Sequence, residues 1–278
     1  MPSQSEHPGK VATHVILCVM VTCLAAFGCA HEKPLQLQCM ERFGIDSYRI
    51  GCWLWGDHRP GGGGYRDEDF VKLRKAGFNT FIGGAGDFPL IRRHGLKIMF
   101  GVWKAHLPQL IAAHEEYGAN PDVLGYHLND NCDLHDYTVE CARWLEKNAP
   151  DKLAWMSSNP NPVAQSRVPM PALSSQIYPF AQRQGASQEQ LRIWFCNSCD
   201  RERTHCNRYN MAMWPVIGCY AHSETPSQYR FQVNAAAAYG AQAVWLFAYN
   251  RYFRAVLNRA AGPANHYLTD VAGRHVLG

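Results

Sequence analysis

Two carboxylic acids of the chain follow apolar segments that read as strands, and each could take part in acid–base chemistry. Asp130 closes the segment GYHLND at 125–130, and Glu224 directly precedes Thr225, where a helical pattern begins. Hydrolysis of a glycosidic bond needs two such groups, one to protonate the leaving oxygen and one to stabilise or attack the sugar cation. The pair predicts carbohydrate chemistry, with Asp130 and Glu224 as the catalytic residues, provided that both reach one opening.

Further aromatic and polar residues lie at or just after the ends of predicted strands. Aromatic rings there could stack on sugar faces, and amide, carboxylate, hydroxyl and imidazole groups could bind sugar hydroxyls. At least one of the tryptophans should face the opening, while the others belong to the core. The expected substrate-binding residues are Trp53, Trp55, Asp57, Trp103, Asn129, Asn131, Asn159, Tyr178 and His222.

Several candidates also have a purely structural explanation. Asp130 could cap the helix that begins near Asp133, and Glu224 could be a solvated carboxylate favoured by the dipole of the following helix. Asp57 could bond loop amides instead of a sugar hydroxyl. His127 lies inside a strand, and we expect it to pack between the sheet and the helices.

The elements that must position these residues alternate between short apolar runs and helical stretches, which is typical of a parallel sheet with helical crossovers. Strands are predicted at 49–55, 79–83, 96–103, 123–128, 153–157, 173–178, 211–220 and 243–249. Eight strands favour a closed (β/α)8 TIM barrel of the α/β class over an open sheet. Such a barrel would bring the carboxyl ends of all strands to one face, where the chemistry of these folds lies.

Helix signals support this pattern, with one exception. Ser187 and Gln190 form a capping box before a long helix, and Thr225 caps a helix whose first residue is Pro226. Residues 158–171 contain four prolines, which exclude a regular helix. We therefore expect the fifth crossover helix to be replaced by a Pro-rich loop.

Length and charge limit the function classes. The chain has 278 residues, close to the ~250 of one such barrel. Its net charge of +4 comes from scattered Lys and Arg, with no basic run that could follow a phosphate backbone. We expect one domain of the size of such a barrel. Its partner should be a carbohydrate substrate or ligand, and we expect no binding of nucleic acid.

The N-terminal region reads as a targeting segment. Residues 11–28 are apolar and follow Lys10, which predicts a signal peptide over 1–28, with a retained membrane span as the alternative. The run before Cys29 resembles a lipobox, so Cys29 could be lipidated and attach the chain to a membrane. We expect a polar tether over 29–48, a barrel over 49–278, and a protein that is secreted, periplasmic or lipid-anchored at the cell envelope.

Export would permit disulfides. Cys196 and Cys199 form a CxxC pair, with His205 and Cys206 nearby. This is one half of a zinc-site motif, but no second CxxC follows. A disulfide and free thiols remain open for this segment, and we expect no metal.

The order of these elements resembles the clan of (β/α)8-barrel glycoside hydrolases that includes the β-galactosidase and cellulase families. The resemblance implies an acid/base Glu in an Asn-Glu pair after strand four and a nucleophilic Glu after strand seven. Asn129 and Asp130 match the pair, with Asp in place of Glu, and Glu224 matches the nucleophile, although it lies in the loop.

The chain is also similar to uncharacterised exported bacterial glycoside-hydrolase-like proteins, in which strand four ends in Asp-Glu-Pro. In that alignment Asp130 is the retained Asp, and Asn131 and Cys132 replace Glu and Pro. Members of this group often continue into a β-rich domain, and the end near 271–278 could belong to a truncated copy.

We therefore expect a glycoside-hydrolase-like barrel that acts on carbohydrate by a two-carboxylate mechanism and needs no cofactor. The alternative is a catalytically inactive barrel that serves as an exported glycan-binding module, which the residues at 131 and 132 and the missing fifth helix favour. A thiol or zinc protein built on Cys196 and Cys199 is a third hypothesis, and it requires these sulfurs to converge with His205 near a pocket.

Overall fold

The computed structural model describes residues 40–45, 47–54, 65–102, 106–130, 135–157, 168, 170–182, 185–218 and 225–249. Its strands are β1 Arg49–Leu54, β2 Thr80–Gly83, β3 Lys97–Gly101, β4 Val123–Asp130, β5 Leu153–Ser157, β6 Ala172–Leu173, β7 Gln176–Ile177, β8 Ala212–Met213, β9 Val216–Gly218 and β10 Ala243–Tyr249. Its helices are α1 Asp67–Lys75, α2 Phe88–Arg93, α3 Leu107–Tyr117, α4 Asp136–Asn148, α5 Pro179–Gln182, α6 Gln188–Tyr209 and α7 Pro226–Ala238.

Ten strand segments make up the eight predicted strands. Strand six is divided into β6 and β7, and strand seven into β8 and β9. The ladder continues across the interruption, because Trp214 N–H donates to Leu173 O at 2.9 Å and Val216 N–H to Ser175 O at 2.8 Å. Pro215 lies between β8 and β9 and has no N–H to donate, which explains the break in strand seven.

All strand pairs are parallel, and their order is that of a barrel. The main sheet runs β5-β4-β3-β2-β1-β10-β9-β7, and β6 pairs with β8. In terms of the predicted strands this is 5-4-3-2-1-8-7-6, so each strand neighbours the next one along the chain. β5 contacts β6, but the ladder hydrogen bonds of the described residues stop at this seam. The prediction of eight parallel strands curled into the barrel architecture is confirmed.

Two separate apolar clusters hold the strands, because both faces of each strand are buried. One cluster fills the space between the sheet and the helices, where Phe70, Leu145, Phe195 and Tyr229 pack. The other fills the inside of the barrel and is dominated by large rings. Its tryptophans are Trp53, Trp155, Trp214 and Trp245. This double burial explains why the strands read as continuous apolar runs.

Residues 40–45 belong to the inner cluster. Met40, Phe43 and Ile45 are buried together with Leu124 and Leu153. We expected a polar tether over 29–48, and the structure corrects this for its last part. Residues 40–45 bury apolar side chains against the barrel interior instead of remaining in solvent.

The helix caps form as the sequence indicates. Ser187 Oγ accepts from Gln190 N–H at 3.2 Å, and Gln190 Oε1 accepts from Ser187 N–H at 2.9 Å. Thr225 makes the same reciprocal pair with Gln228 before α7, which has Pro226 in its first turn. Within residues 168 and 170–175 there is no helix before β7, and the rest of the Pro-rich crossover lies outside the described residues.

The described cysteines that form no disulfide are Cys52, Cys141, Cys196, Cys199 and Cys206. The described ranges contain no cluster of three or more His, Cys, Asp or Glu that could hold a metal ion. The zinc hypothesis for Cys196 and Cys199 is therefore wrong for the residues that the structure describes. Among the same residues, no helix is both long and apolar enough to cross a membrane.

Candidate active site at the carboxyl ends of the strands

A bulge in β4 aims Asp130 into the mouth of the barrel. The pairing of β4 with β5 shifts register between His127 and Asn129, so that Asn129 pairs with Met156 and Asp130 with Ser157. One extra residue reverses the alternation of side chains beyond it. Met156 belongs to the outer cluster, and Asp130 consequently shares the inward side with Ser157.

The Asp130 carboxylate is held by donors from the two following strands. Ser157 Oγ donates to Asp130 Oδ1 at 2.6 Å, and Gln176 Nε2 donates to the same oxygen at 2.8 Å. Ser157 ends β5, which pairs with β4, and Gln176 begins β7. The Gln176 bond therefore crosses the seam where the ladder stops. Hydrogen bonds from neutral donors favour the charged form of a carboxyl group. The arrangement fixes one carboxylate oxygen and joins strands four, five and six.

His127 lies below this cluster, inside the barrel. Its ring contacts Trp155 at 4.7 Å and Trp53 at 5.2 Å between centroids. Complete burial lowers the pKa of His127 to about 3, so the ring is neutral in the physiological range. The expectation that His127 packs between the sheet and the helices is wrong. The apolar run around it does not reveal which face its side chain occupies.

A polar chain connects His127 to the carboxylate. His127 Nε2 lies 3.4 Å from Ser157 Oγ. Because Ser157 donates its single hydroxyl hydrogen to Asp130, Nε2 must be the donor in this contact. The serine stands between the acid and the histidine, whereas a nucleophilic triad needs the histidine in the middle. The geometry therefore supports a positioned carboxylate and gives no support to serine-hydrolase chemistry.

Trp53 forms part of the barrel filling. Only 1% of it is exposed, and its ring lies 5.5 Å from Trp155 and 5.9 Å from Phe247. We expected it as a candidate platform for a sugar, which requires an exposed ring face. The structure corrects this expectation, because its faces are covered by other rings.

Two further candidates are buried. Asn129 is 1% exposed, and its Nδ2 approaches Thr138 Oγ1 of α4 at 3.5 Å, on the outer side of the sheet. This corrects its expected role in substrate binding and follows from the bulge. Tyr178 packs inside the barrel, stacked on Phe247 at 6.1 Å. The structure thus brings Tyr178, but not Asn129, to the inward side.

The remaining candidates lie outside the described residues. They are Trp55, Asp57, Trp103, Asn131, Asn159, His222, Glu224 and Cys29. Sequence reasoning did not identify Ser157 and Gln176, which bind Asp130. A signal for both was available, since each is a polar residue at the inward, carboxyl-terminal end of a predicted strand.

Comparison with known proteins finds similarity in structure but not in sequence. No family profile and no curated protein matches the sequence. Solved structures do match. Cel5A of Thermotoga maritima in complex with mannotriose has a TM-score of 0.57 and 11% identity, covering 82% of this chain and 100% of that one.

Two other solved structures agree with this comparison. A broad-specificity endoglucanase from Clostridium longisporum has a TM-score of 0.56 and 9% identity, covering 85% of this chain and 99% of that chain. The endo-β-1,4-mannanase of Thermotoga petrophila has a TM-score of 0.53 and 8% identity, covering 79% and 77%. The chain folds as a (β/α)8 barrel. Identities this low show the shared barrel fold alone, and the activity has to be argued from the residues.

Proposed function

We propose that this barrel acts on carbohydrate at its carboxyl-end mouth, as a glycoside hydrolase with Asp130 and Glu224 as its two carboxylates. The observation that carries the proposal is the position of Asp130, which a bulge turns into the mouth and which Ser157 and Gln176 hold there. Of the solved structures with the same fold, one bears the name of a mannanase, one that of an endoglucanase, and one holds mannotriose, which supports a sugar as substrate.

In the proposed reaction, Asp130 protonates the glycosidic oxygen as the bond to the anomeric carbon breaks. In a retaining reaction Glu224 attacks the anomeric carbon, and water then displaces Glu224 while Asp130 takes the proton of that water. In an inverting reaction water attacks the anomeric carbon directly and Glu224 takes its proton. Fixing one oxygen of Asp130 contributes to catalysis by orienting its carboxyl plane. The chemistry requires no cofactor.

A second function is favoured by the same two hydrogen bonds. Two donors on one oxygen favour the ionised carboxylate, which accepts hydrogen bonds from sugar hydroxyls well but has no proton to donate. A catalytically inactive barrel that binds glycans would use Asp130 in this way.

A panel of aryl glycosides distinguishes the two functions. We expect the wild type to hydrolyse at least one member, and Asp130→Asn and Glu224→Gln to lower kcat by about 10²-fold or more. Asp151→Asn and Glu189→Gln are matched controls, because these exposed acids lie in the turn before β5 and in the first turn of α6. The controls should keep wild-type rates.

The outcomes separate clearly. Turnover that survives both mouth substitutions would remove Asp130 and Glu224 from the mechanism. Saturable retention of a glycan on an affinity gel, without turnover and lost in Asp130→Asn, would establish the binding function instead. The anomeric configuration of the first product, read by NMR, would assign a retaining or an inverting reaction.

We also propose that the chain is exported and lipid-anchored through Cys29. The support is the sequence of residues 11–29 alone. Expression of the full chain in a bacterial host should place the wild type in the membrane fraction and Cys29→Ser in the soluble exported fraction. Retention of both in the cytoplasm would contradict export.

A further inference from the structure

A second pocket lies outside the barrel, on one side of α6. It has a volume of ≈ 420 Å³, and we refer to it as the α6 pocket. The lining residues that matter here are Ser175, Trp194, Ser198, Arg201, Glu202 and His205. Ser175 lies between β6 and β7 with its backbone N–H turned toward α6, where it donates to Glu202 Oε1 at 3.3 Å. The pocket is thus on the helix side of strand six. It shares one lining residue with the mouth, since Gln176 also donates to the inward-facing Asp130.

Three buried polar atoms of residues that line this pocket have no hydrogen-bond partner among the described residues. They are Ser175 Oγ, Glu202 Oε2 and His205 Nδ1, and Glu202 as a whole is only 2% exposed. A buried polar atom without a partner is unfavourable. Since these residues line one cavity, a single molecule in that cavity could bond the three atoms.

The position of the pocket follows from the packing of α6. On one flank α6 meets α7, where Arg192 lies over the Phe231 ring at 5.5 Å and Arg203 donates to Tyr239 O at 3.2 Å. Trp194, Ser198, Arg201 and His205 follow at spacings of four, three and four, which places them on the other flank. The described residues supply no helix between β5 and β6 to cover that flank.

Glu202 and His205 in the pocket are uncharged near neutral pH, whereas Arg201 carries a positive charge. Burial raises the pKa of Glu202 to about 8, so its carboxyl group is protonated and can donate. The pKa of His205 is lowered by desolvation and by the neighbouring cations Arg208 and Arg201. A cationic ligand would be repelled by these arginines. An anion would give up its hydration in a pocket whose lining, apart from Arg201, carries no positive charge to replace it.

The groups that remain suit a ligand rich in hydroxyls. Ser198 Oγ donates to Trp194 O at 2.9 Å and accepts from Arg201 Nη2 at 3.3 Å, which holds the arginine at the entrance. The pocket thus offers a carboxyl group, an imidazole and a guanidinium beside one indole wall, a few convergent polar groups on an apolar surface.

We propose that the α6 pocket is a second ligand site, which binds a small, uncharged, hydroxyl-rich molecule about the size of a monosaccharide. The site is independent of the reaction at the mouth. It requires neither Asp130 nor Glu224.

Titration of the full chain with neutral monosaccharides, followed by saturation-transfer NMR and calorimetry, tests this proposal. The probes are D-glucose, D-mannose and D-galactose, with D-glucuronate and D-glucosamine as charged counterparts. We expect at least one neutral sugar to bind saturably, with a Kd raised about tenfold by Arg201→Ala and by Glu202→Gln. Arg201 is exposed, so its substitution should leave the fold intact, and Arg203→Ala on the opposite flank is the matched control.

Each result decides the matter. Binding that persists in Asp130→Asn but weakens in Arg201→Ala supports the α6 pocket, whether or not the protein hydrolyses glycosides. Binding that is lost in Asp130→Asn and kept in Arg201→Ala would place the sugar at the mouth and overturn the proposal. Absence of saturable binding would mean that the pocket holds water only, and tighter binding of a charged sugar would refute the uncharged class.

Discussion

Asp130 reaches the mouth because one extra residue enters β4. Without the shift between His127 and Asn129, strict alternation from the inward His127 would turn Asn129 inward and Asp130 toward the helices. Two side chains then hold the carboxylate from neighbouring strands. The bulge decides which of two adjacent polar residues turns into the mouth of the barrel.

Ser157→Ala tests this local arrangement. The substitution removes the 2.6 Å donor to Asp130 and leaves the Gln176 bond in place. A hydrogen bond to a charged group is worth about 1.5–3 kcal/mol, so we expect kcat/KM, or glycan affinity if the barrel only binds, to fall by about ten- to a hundredfold. Thr204→Ala on the exposed face of α6 is the control, and circular dichroism verifies the fold. An unchanged value would show that Ser157 does not support the site.

At the scale of single residues, the sequence predicts the chemical type of a site better than the side of the sheet that each side chain faces. It identifies Asp130 from its type and its place at a strand end, and the structure describes it at the mouth. It assigns the wrong face to His127 and the wrong role to Asn129, because a bulge between two polar residues leaves no glycine or proline signal. The sequence also predicts Trp53 as a candidate for stacking on a sugar. In the structure four other rings pack against it, those of His127, Trp155, Trp245 and Phe247.

The strands hold together through close backbone approaches at single glycines. A Cβ built on Gly125 would collide with the backbone of Leu153 on β5, and one on Gly51 would enter the Trp245 ring. A backbone atom cannot rotate out of the way, whereas a side chain sometimes can. Gly125 therefore fixes the spacing of β4 and β5 at the first pair of their ladder, at the opposite end from the Asp130–Ser157 pair.

Gly125→Ala should destabilise the barrel. We expect a loss of about 1–3 kcal/mol in the free energy of unfolding, because the added methyl group forces two paired strands apart. Gly84→Ala is the matched control, since a Cβ there meets no atom within 4 Å. Urea denaturation of both variants gives the comparison. Equal stabilities would show that β4 and β5 can shift without cost.

Elements were the most predictable part of the molecule. All eight strands appear where apolar runs alternate with helical patterns, and the caps at Ser187 and Thr225 form as their side-chain types require. The division of strand seven was foreseeable from Pro215 alone. The short helix α5 was not expected, because its four residues are too few to show a period.

At the scale of the whole molecule, two buried groups on opposite sides of the barrel wall set the dependence of stability on pH. Burial raises the pKa of Glu202 from 4.5 to about 8 and lowers that of His127 from 6.5 to about 3. Between 4.5 and 8 the folded state keeps a proton on Glu202 that the unfolded state releases, so stability falls as the pH rises. Between 3 and 6.5 the unfolded state binds a proton on His127 that the folded state excludes, so stability falls as the pH drops.

These opposite slopes predict a plateau of stability between about pH 4.5 and 6.5, where they cancel. Outside it, each group should change the free energy of unfolding by on the order of 1 kcal/mol per pH unit. Glu202→Gln should flatten the fall above pH 6.5, and His127→Gln the fall below pH 4.5, in urea titrations across this range. Glu189→Gln and His135→Gln, which alter exposed groups, should retain both slopes. An alkaline slope that persists in Glu202→Gln would assign it to other groups.

The stacked indoles inside the barrel should produce a circular dichroism signal that depends on the sheet being curled. The ring centroids of Trp155 and Trp245 lie 4.8 Å apart at an interplanar angle of 27°. The rings of Trp53 and Trp214 lie 6.1 and 6.0 Å from that of Trp245. Transition dipoles this close and this fixed couple as excitons, which produces a bisignate band in the ultraviolet circular dichroism spectrum. That band should disappear when the curled sheet opens, and it would report on the barrel wall without any added label.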